Sequence, residues 1–146
     1  LLLGGDAGLP TYLIKESGLN SGFMITQYCA ASLVSENKSN CFPASADSIP
    51  TSMGQEDHVS MGSISGRKAL TIVKNLEKIL AIELLCSAQA FDFRRPVQSS
   101  EILERFHSSI RKKIPHLKED TVMSDYMEMT TKFISNDDLL KATMKT

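Results

Sequence analysis

The sequence predicts an all-α fold: a bundle of long helices followed by a small C-terminal helical appendage. Three observations carry this. No stretch alternates apolar and polar residues for long enough to make a strand. Ala69, Ile72, Val73, Leu76, Ile79, Leu80, Leu84 and Ala88 recur at the 3.6-residue helical period within a proline-free segment, residues 57–91. Residues 28–34 and 80–90 are apolar or small on nearly every side, the composition of helices enclosed by other chain.

Each element follows in order. In residues 1–20, Gly4, Gly5, Gly8, Pro10, Gly18 and Asn20 interrupt every apolar run, so nothing longer than a turn or two is expected. The opening Leu1-Leu2-Leu3 is too short for a signal h-region or a membrane span, and a start on leucine reads as a piece of a longer polypeptide. Phe23, Met24, Tyr28, Ala31 and Val34 then fall at helical spacing with Ser21 available as a cap, which predicts a helix from about residue 21 to about residue 38. Residues 40–56 carry Pro43, Pro50, Gly54 and many serines and threonines, and must be loop. Connections of this length inside compact proteins are functional or disordered, and two strong flanking helices favour an ordered, functional loop.

A single long helix is expected over residues 57–91. Arg67, Lys68, Lys74, Asn75, Glu77 and Lys78 give its first half a solvated face, whereas its second half should be buried more completely. About 35 residues reach ~50 Å, against a radius of gyration of roughly 15 Å for a compact domain of this size. Most of its apolar surface is therefore expected to be covered by a missing segment or by other subunits. Pro96 ends it, Ser99 and Ser100 can cap a third helix through Ile102, Leu103, Phe106 and Ile110, and Pro115 ends that one. Asp125 with Glu128, and Ser135 with Asp138, have capping-box spacing and mark two further helix starts. Residues 1–96 are read as bundle and residues 97–146 as the appendage.

Composition excludes other classes. With 146 residues, 42% hydrophobic and 23% charged, the chain is neither disordered, collagen-like nor a disulfide scaffold, and has room for one core. Sixteen basic against seventeen acidic side chains leave a net charge of -1, with no global drive toward nucleic acid or an anionic membrane, and neither is expected as a partner. Cys29, Cys41 and Cys86 are an odd set without C-x-x-C spacing, which fits free thiols in a reducing cytoplasm, although counting alone leaves a Cys29 to Cys41 pair open. His58, His107 and His116 lack H-x-x-x-H spacing, so no metal site is expected. Gly62-Ser63-Ile64-Ser65-Gly66 places isoleucine where a nucleophile elbow needs a hydroxyl.

One constellation differs in kind. Gln55-Glu56-Asp57-His58 gathers four polar groups where the long loop meets the expected start of the long helix. A carboxylate in a first helical turn is stabilised by the macrodipole by about 0.3–1 kcal/mol, so Glu56 is expected to be ionised and fixed in direction. Taken alone, the commoner meaning of such acidic residues is simply that helix N-termini collect them.

Four motifs in order remove that ambiguity: Gly18-Leu19-Asn20-Ser21-Gly22-Phe23-Met24-Ile25, Ala30-Ala31-Ser32-Leu33-Val34-Ser35-Glu36-Asn37-Lys38, residues 43–52 (Pro-Ala-Ser-Ala-Asp-Ser-Ile-Pro-Thr-Ser) and Gln55-Glu56-Asp57-His58-Val59-Ser60-Met61-Gly62. Together they resemble the C-terminal part of the aromatic amino acid lyase family, in its histidine ammonia-lyase branch, closely over residues 9–96 and more weakly beyond. The resemblance implies an all-helical homotetramer with shared active sites. It also implies elimination of ammonia from L-histidine to give trans-urocanate, by means of 4-methylidene-imidazole-5-one (MIO), an electrophile made from the protein's own Ala-Ser-Gly. By the same resemblance Glu56 matches the active-site glutamate of the histidine enzymes, where the phenylalanine and tyrosine enzymes resemble one another in having glutamine. A carboxylate accepts a charge-assisted hydrogen bond from an imidazole N–H, while a phenyl ring offers no donor. Glu56 is thus the candidate substrate-binding and catalytic residue, and Gln55, Asp57 and His58 are expected to be supporting groups.

The chain departs from the family in one decisive respect. Its Ser-Gly pairs, Ser17-Gly18, Ser21-Gly22 and Ser65-Gly66, follow glutamate, asparagine and isoleucine, so it holds no Ala-Ser-Gly and is expected to be inactive by itself. Two rival readings stay open, a phenylalanine or tyrosine ammonia-lyase or aminomutase and a helical module that only oligomerises. Glu83, set in an apolar run, is expected to be a buried carboxylate in an inter-helix or inter-subunit salt bridge, since an unpaired buried charge is costly.

Overall fold

The computed structural model describes residues 8–46, 48–56, 59–60 and 62–136. Helices α1 (Met24–Asn40), α2 (Gly62–Asp92), α3 (Glu101–Arg111) and α4 (Met123–Ser135) are joined by loops that contain two short 3-10 turns, Thr11–Leu13 and Ser52–Gly54. Among the described residues there is no strand, only two isolated bridges. The all-α expectation holds.

Helix α2 is the spine, with α1 and α4 packed along it. Its 31 residues span about 46 Å at 1.5 Å per residue. As expected, its second half is the enclosed one: Ala81, Ile82, Leu85, Cys86, Ala88 and Ala90 are buried, whereas Leu70, Val73, Leu76 and Leu80 are exposed. The enclosure comes from within the chain, because Leu13, Phe23, Ile110, Ile114, Leu117 and Phe133 complete the same cluster. Residues beyond Pro96 therefore share the core of those before it. The apolar surface left uncovered lies on α2 up to Leu80, not on residues 81–90.

Helix α1 starts at Met24, three residues after Ser21, and Phe23 at its N-cap makes no side-chain cap. The reason is long-range: the Asp120 carboxylate accepts the N–H groups of Ser21 at 2.9 Å and Gly22 at 2.7 Å, and Gly22 has φ +54. That geometry is easy only for glycine, and it holds the chain in a turn until residue 23. Residues 28–34 are not enclosed here. Thr26 is the one buried residue of α1, while Ile25 and Tyr28 are 51% and 67% exposed.

Ser100 caps α3, its hydroxyl accepting the Leu103 N–H at 3.4 Å. Glu104 reaches back to the Ser99 N–H at 2.8 Å and is gripped by both Arg95 nitrogens at 3.0 and 2.7 Å. The guanidinium and that N–H hold the Glu104 carboxyl down to about 2. Helix α4 begins at Met123, so Asp125 lies inside its first turn instead of capping it. Ser135 is the last residue of α4, donating its hydroxyl to the Thr131 carbonyl at 3.0 Å; its expected partner Asp138, and the further helix expected there, lie outside the described residues.

The buried polar residue of the second half of α2 is Gln89, not Glu83. Glu83 shares an exposed stripe with Leu76 and Leu80, spaced three and four residues apart, and escapes the cost of burial. Gln89 is 1% exposed and fully used: its amide donates to the carbonyls of Leu13 at 3.1 Å and Leu117 at 2.7 Å, and its oxygen accepts the Leu117 N–H at 3.2 Å. One turn on, Asp92 ends the helix. Its carboxylate lies 2.9 Å from His107 Nε2, 2.7 Å from Arg111 Nη2 and 2.9 Å from His116 Nδ1. The His107 and Arg111 contacts are close but miss hydrogen-bond alignment; Arg111 acts as a charge contact, and His107 does so only when protonated. Three basic groups around one carboxylate at a helix C-terminus offset the repulsion between that carboxylate and the helix dipole. They tie α3 and the following loop to α2.

Candidate active-site loop

Glu56 lies in the connection between α1 and α2 and is exposed. It is not in the first turn of α2. The helix begins six residues later, at Gly62, with no acidic residue in its first turn, and the Gly62 N–H turns back to the Ser60 hydroxyl at 3.3 Å. The helix macrodipole therefore does not direct Glu56.

The backbone directs Glu56 by another device. Thr51 and Glu56 form an isolated antiparallel bridge. Between them Ser52, Met53 and Gly54 have φ of +52, +57 and +83, and the turn is closed by Gly54 N–H to Thr51 carbonyl at 3.0 Å and Gln55 N–H to Ser52 carbonyl at 3.2 Å. Two consecutive non-glycine residues in the left-handed region are sterically costly, and such strain concentrates at functional sites. Outside the turn, the Ser48 hydroxyl accepts the Val59 N–H at 3.1 Å. At the far end of the loop, Lys68 of α2 donates to the Phe42 carbonyl and stands 5.9 Å from the centroid of that ring.

Of the four polar residues singled out in the sequence, Gln55 and Glu56 are both exposed at the end of this turn, and Asp57 and His58 lie outside the described residues. Ser48 and Lys68 are supports that sequence reasoning missed. A serine among many serines carries no signal, and Lys68 reads as part of a solvated face. An apolar groove of about 360 Å³ between α1, α2 and α4, lined by Cys29, Leu33, Ile82 and Met127 among others, takes none of its lining from the Glu56 loop. Among the described residues no group of three or more histidine, cysteine and acidic side chains is placed to hold a metal, and no helix is long and apolar enough to cross a membrane.

Among the described residues the architecture is that of a helical-bundle segment, with one long central helix and an acidic residue presented on a strained loop before it. The profile of the aromatic amino acid lyase family matches residues 2–112, and the chain belongs to that family. It is 53% identical over 139 residues to the histidine ammonia-lyase of Natranaerobius thermophilus, covering 95% of this chain and 27% of that protein. The crystal structure of histidine ammonia-lyase from Trypanosoma cruzi superimposes with a TM-score of 0.89 at 49% identity, covering 92% of this chain and 27% of that one. The tyrosine aminomutase of Streptomyces globisporus matches with a TM-score of 0.84 at 39% identity, over 92% of this chain and 26% of that one. The chain thus spans about a quarter of the length of the relatives it matches.

Proposed function

We propose that this chain is a segment of a histidine ammonia-lyase, which eliminates ammonia from L-histidine to give trans-urocanate, and that Glu56 is its contribution to the active site. The observation that carries this is a carboxylate at position 56, exposed and held by the Thr51 bridge at the end of a strained turn. There it accepts a charge-assisted hydrogen bond from a substrate imidazole N–H, worth about 1.5–3 kcal/mol. The similarity to two histidine ammonia-lyases at about half identity over nearly the whole chain supports the choice of substrate.

The sequence contains no Ala-Ser-Gly, so these residues do not build the methylidene-imidazolone group of the family, and no chemical step is assigned through it. That group belongs to other segments of the complete subunit. The uncovered apolar residues of α1 and of the first half of α2 support assembly as a homo-oligomer, and we propose the tetramer that the family resemblance implies, in the cytoplasm.

The test is the ultraviolet appearance of urocanate when a complete subunit carrying this sequence is given L-histidine, with L-phenylalanine and L-tyrosine as rivals, in the parent and in Glu56→Gln. Turnover of histidine alone, lost largely in the variant, is the expected result. Turnover of tyrosine instead favours the aminomutase-like reading, and a folded protein that turns over none of the three favours a module that only assembles.

A further inference from the structure

We infer that Ser48 is a positioning residue for Glu56: its hydroxyl closes the base of the loop that presents the carboxylate. This role rests on the lyase reading above. Three contacts of the loop lie about one centre: the Ser48 hydroxyl with the Val59 N–H, the Thr51 and Glu56 bridge, and the turn at 53 and 54. The outermost pair is Ser48 Oγ accepting the Val59 N–H at 3.1 Å, the next is the Thr51 and Glu56 bridge, and the innermost is the left-handed turn at Ser52, Met53 and Gly54.

The inner contacts do not hold this arrangement by themselves. The turn is conformationally costly at two of its residues, and an isolated two-stranded pairing is at best marginal in water. Apolar packing gives little help, because Ile49 is 67% exposed and Met53 fully exposed at 101%. Ser48 and Val59, by contrast, are half-buried, which makes their hydrogen bond stronger than one open to water. Opening that bond frees the chain on both sides of Glu56 and widens the range of directions its carboxylate takes. Positioning losses of this kind act on the transition state more than on binding at large.

The experiment uses the complete lyase subunit and measures kcat and KM for L-histidine, with sedimentation to confirm assembly. Ser48→Ala is expected to lower kcat/KM about three- to tenfold, the span that one net hydrogen bond supports, with the loss mainly in kcat. Ser48→Thr, which keeps the hydroxyl, is expected to stay within about twofold of the parent, while the isosteric Ser48→Val falls like alanine. On a Glu56→Gln background Ser48→Ala is expected to change kcat/KM by less than about twofold, because two groups acting through one contact are not additive. A full Ser48→Ala loss on that background, a threonine variant as impaired as valine, or an unimpaired alanine variant would each overturn the role. So would alanine and valine variants that fail to assemble while threonine assembles, since that assigns the hydroxyl to folding. The lyase reading itself fails separately, if the parent subunit does not turn over L-histidine, and the role of Glu56 fails if Glu56→Gln turns it over like the parent.

Discussion

Replacing Gln89 with leucine tests the internal account of the fold most directly. The two side chains are close in volume, so the change removes polarity without opening a large hole. It strands three backbone groups in the core: the carbonyls of Leu13 and Leu117 and the N–H of Leu117, now bonded at 3.1, 2.7 and 3.2 Å. Each stranded buried group costs about 1–3 kcal/mol, while a buried leucine returns roughly 1.5–3 kcal/mol. The net expected loss is about 3–4 kcal/mol, a large part of a typical stability of about 5–15 kcal/mol. With no tryptophan in the chain, urea unfolding is best followed by far-ultraviolet circular dichroism. At a slope of about 1–3 kcal/mol/M the midpoint should fall by about 1–4 M. Glu83→Gln, on the exposed stripe, should leave the midpoint unchanged. A Gln89→Leu variant that unfolds at the parent's midpoint would refute the assignment of Gln89 as the clasp between α2, the 11–13 turn and the loop after α3.

Three further outcomes follow from the same structure. A Cβ on Gly22 would lie 2.7 Å from the Tyr12 carbonyl oxygen and 2.8 Å from Ile14 Cγ2 at φ +54, so Gly22→Ala should cost about 2–4 kcal/mol in the same unfolding assay, from backbone strain and overpacking together. Burial pushes the His107 imidazole below its ordinary value of 6.5, with Asp92 pulling the other way; the folded state then binds the proton less readily than the unfolded one, so this contribution to stability is full above about 6.5 and lost as pH falls toward the depressed value. Stability measured between pH 7 and 5 should fall in the parent and slope less in His107→Gln. The Arg95 guanidinium, with the Ser99 N–H, keeps the Glu104 carboxyl at about 2, so its carbon resonance should titrate near there, and Arg95→Ala should move it back toward the ordinary 4.5.

What the sequence makes legible here is local, and what it hides is paired over distance. The period of the second half of α2, the Ser100 cap and the long loop before α2 all depend on neighbours within a turn or two, and each is read correctly. Ser21 looks like a helix cap, but Asp120, 99 residues away, takes its N–H and delays α1. Glu83 looks like the buried polar residue because its neighbours are apolar, yet helical geometry puts it on the exposed stripe and Gln89 on the enclosed one. The Asp92 cluster unites residues 92, 107, 111 and 116, of which only 107 and 111 share a helical face. At the candidate site the motif singles out Glu56, but its expected place in the first turn of α2 was misread, since the helix starts only at Gly62. Its support was not legible, because the pairing of 48 with 59 and of 51 with 56 shows in backbone geometry and not in residue type.

The two halves of α2 do different work, and the loop is fastened to the half that is left open. The second half is closed by the chain's own α3, α4 and 11–13 turn, while Leu70, Val73 and Leu76 on the first half, and Leu80 just past the middle, remain exposed. Lys68, two residues before Leu70, binds the Phe42 carbonyl, and Gly62, where α2 begins, follows directly on the strained loop. Covering the exposed face removes about 25 cal/mol from the free energy for each Å² of apolar surface buried, and it fixes the stretch of helix to which both ends of the loop are joined. Assembly and the orientation of Glu56 are then coupled through α2. Val73→Asp should weaken self-association in sedimentation without unfolding the core, whereas Leu85→Ala, buried in the other half, should cost about 2–5 kcal/mol of stability and act on folding first. If both variants melt like the parent and both lose association equally, the two halves of α2 are not separate in this way, and the Glu56 loop owes its geometry to its own hydrogen bonds alone.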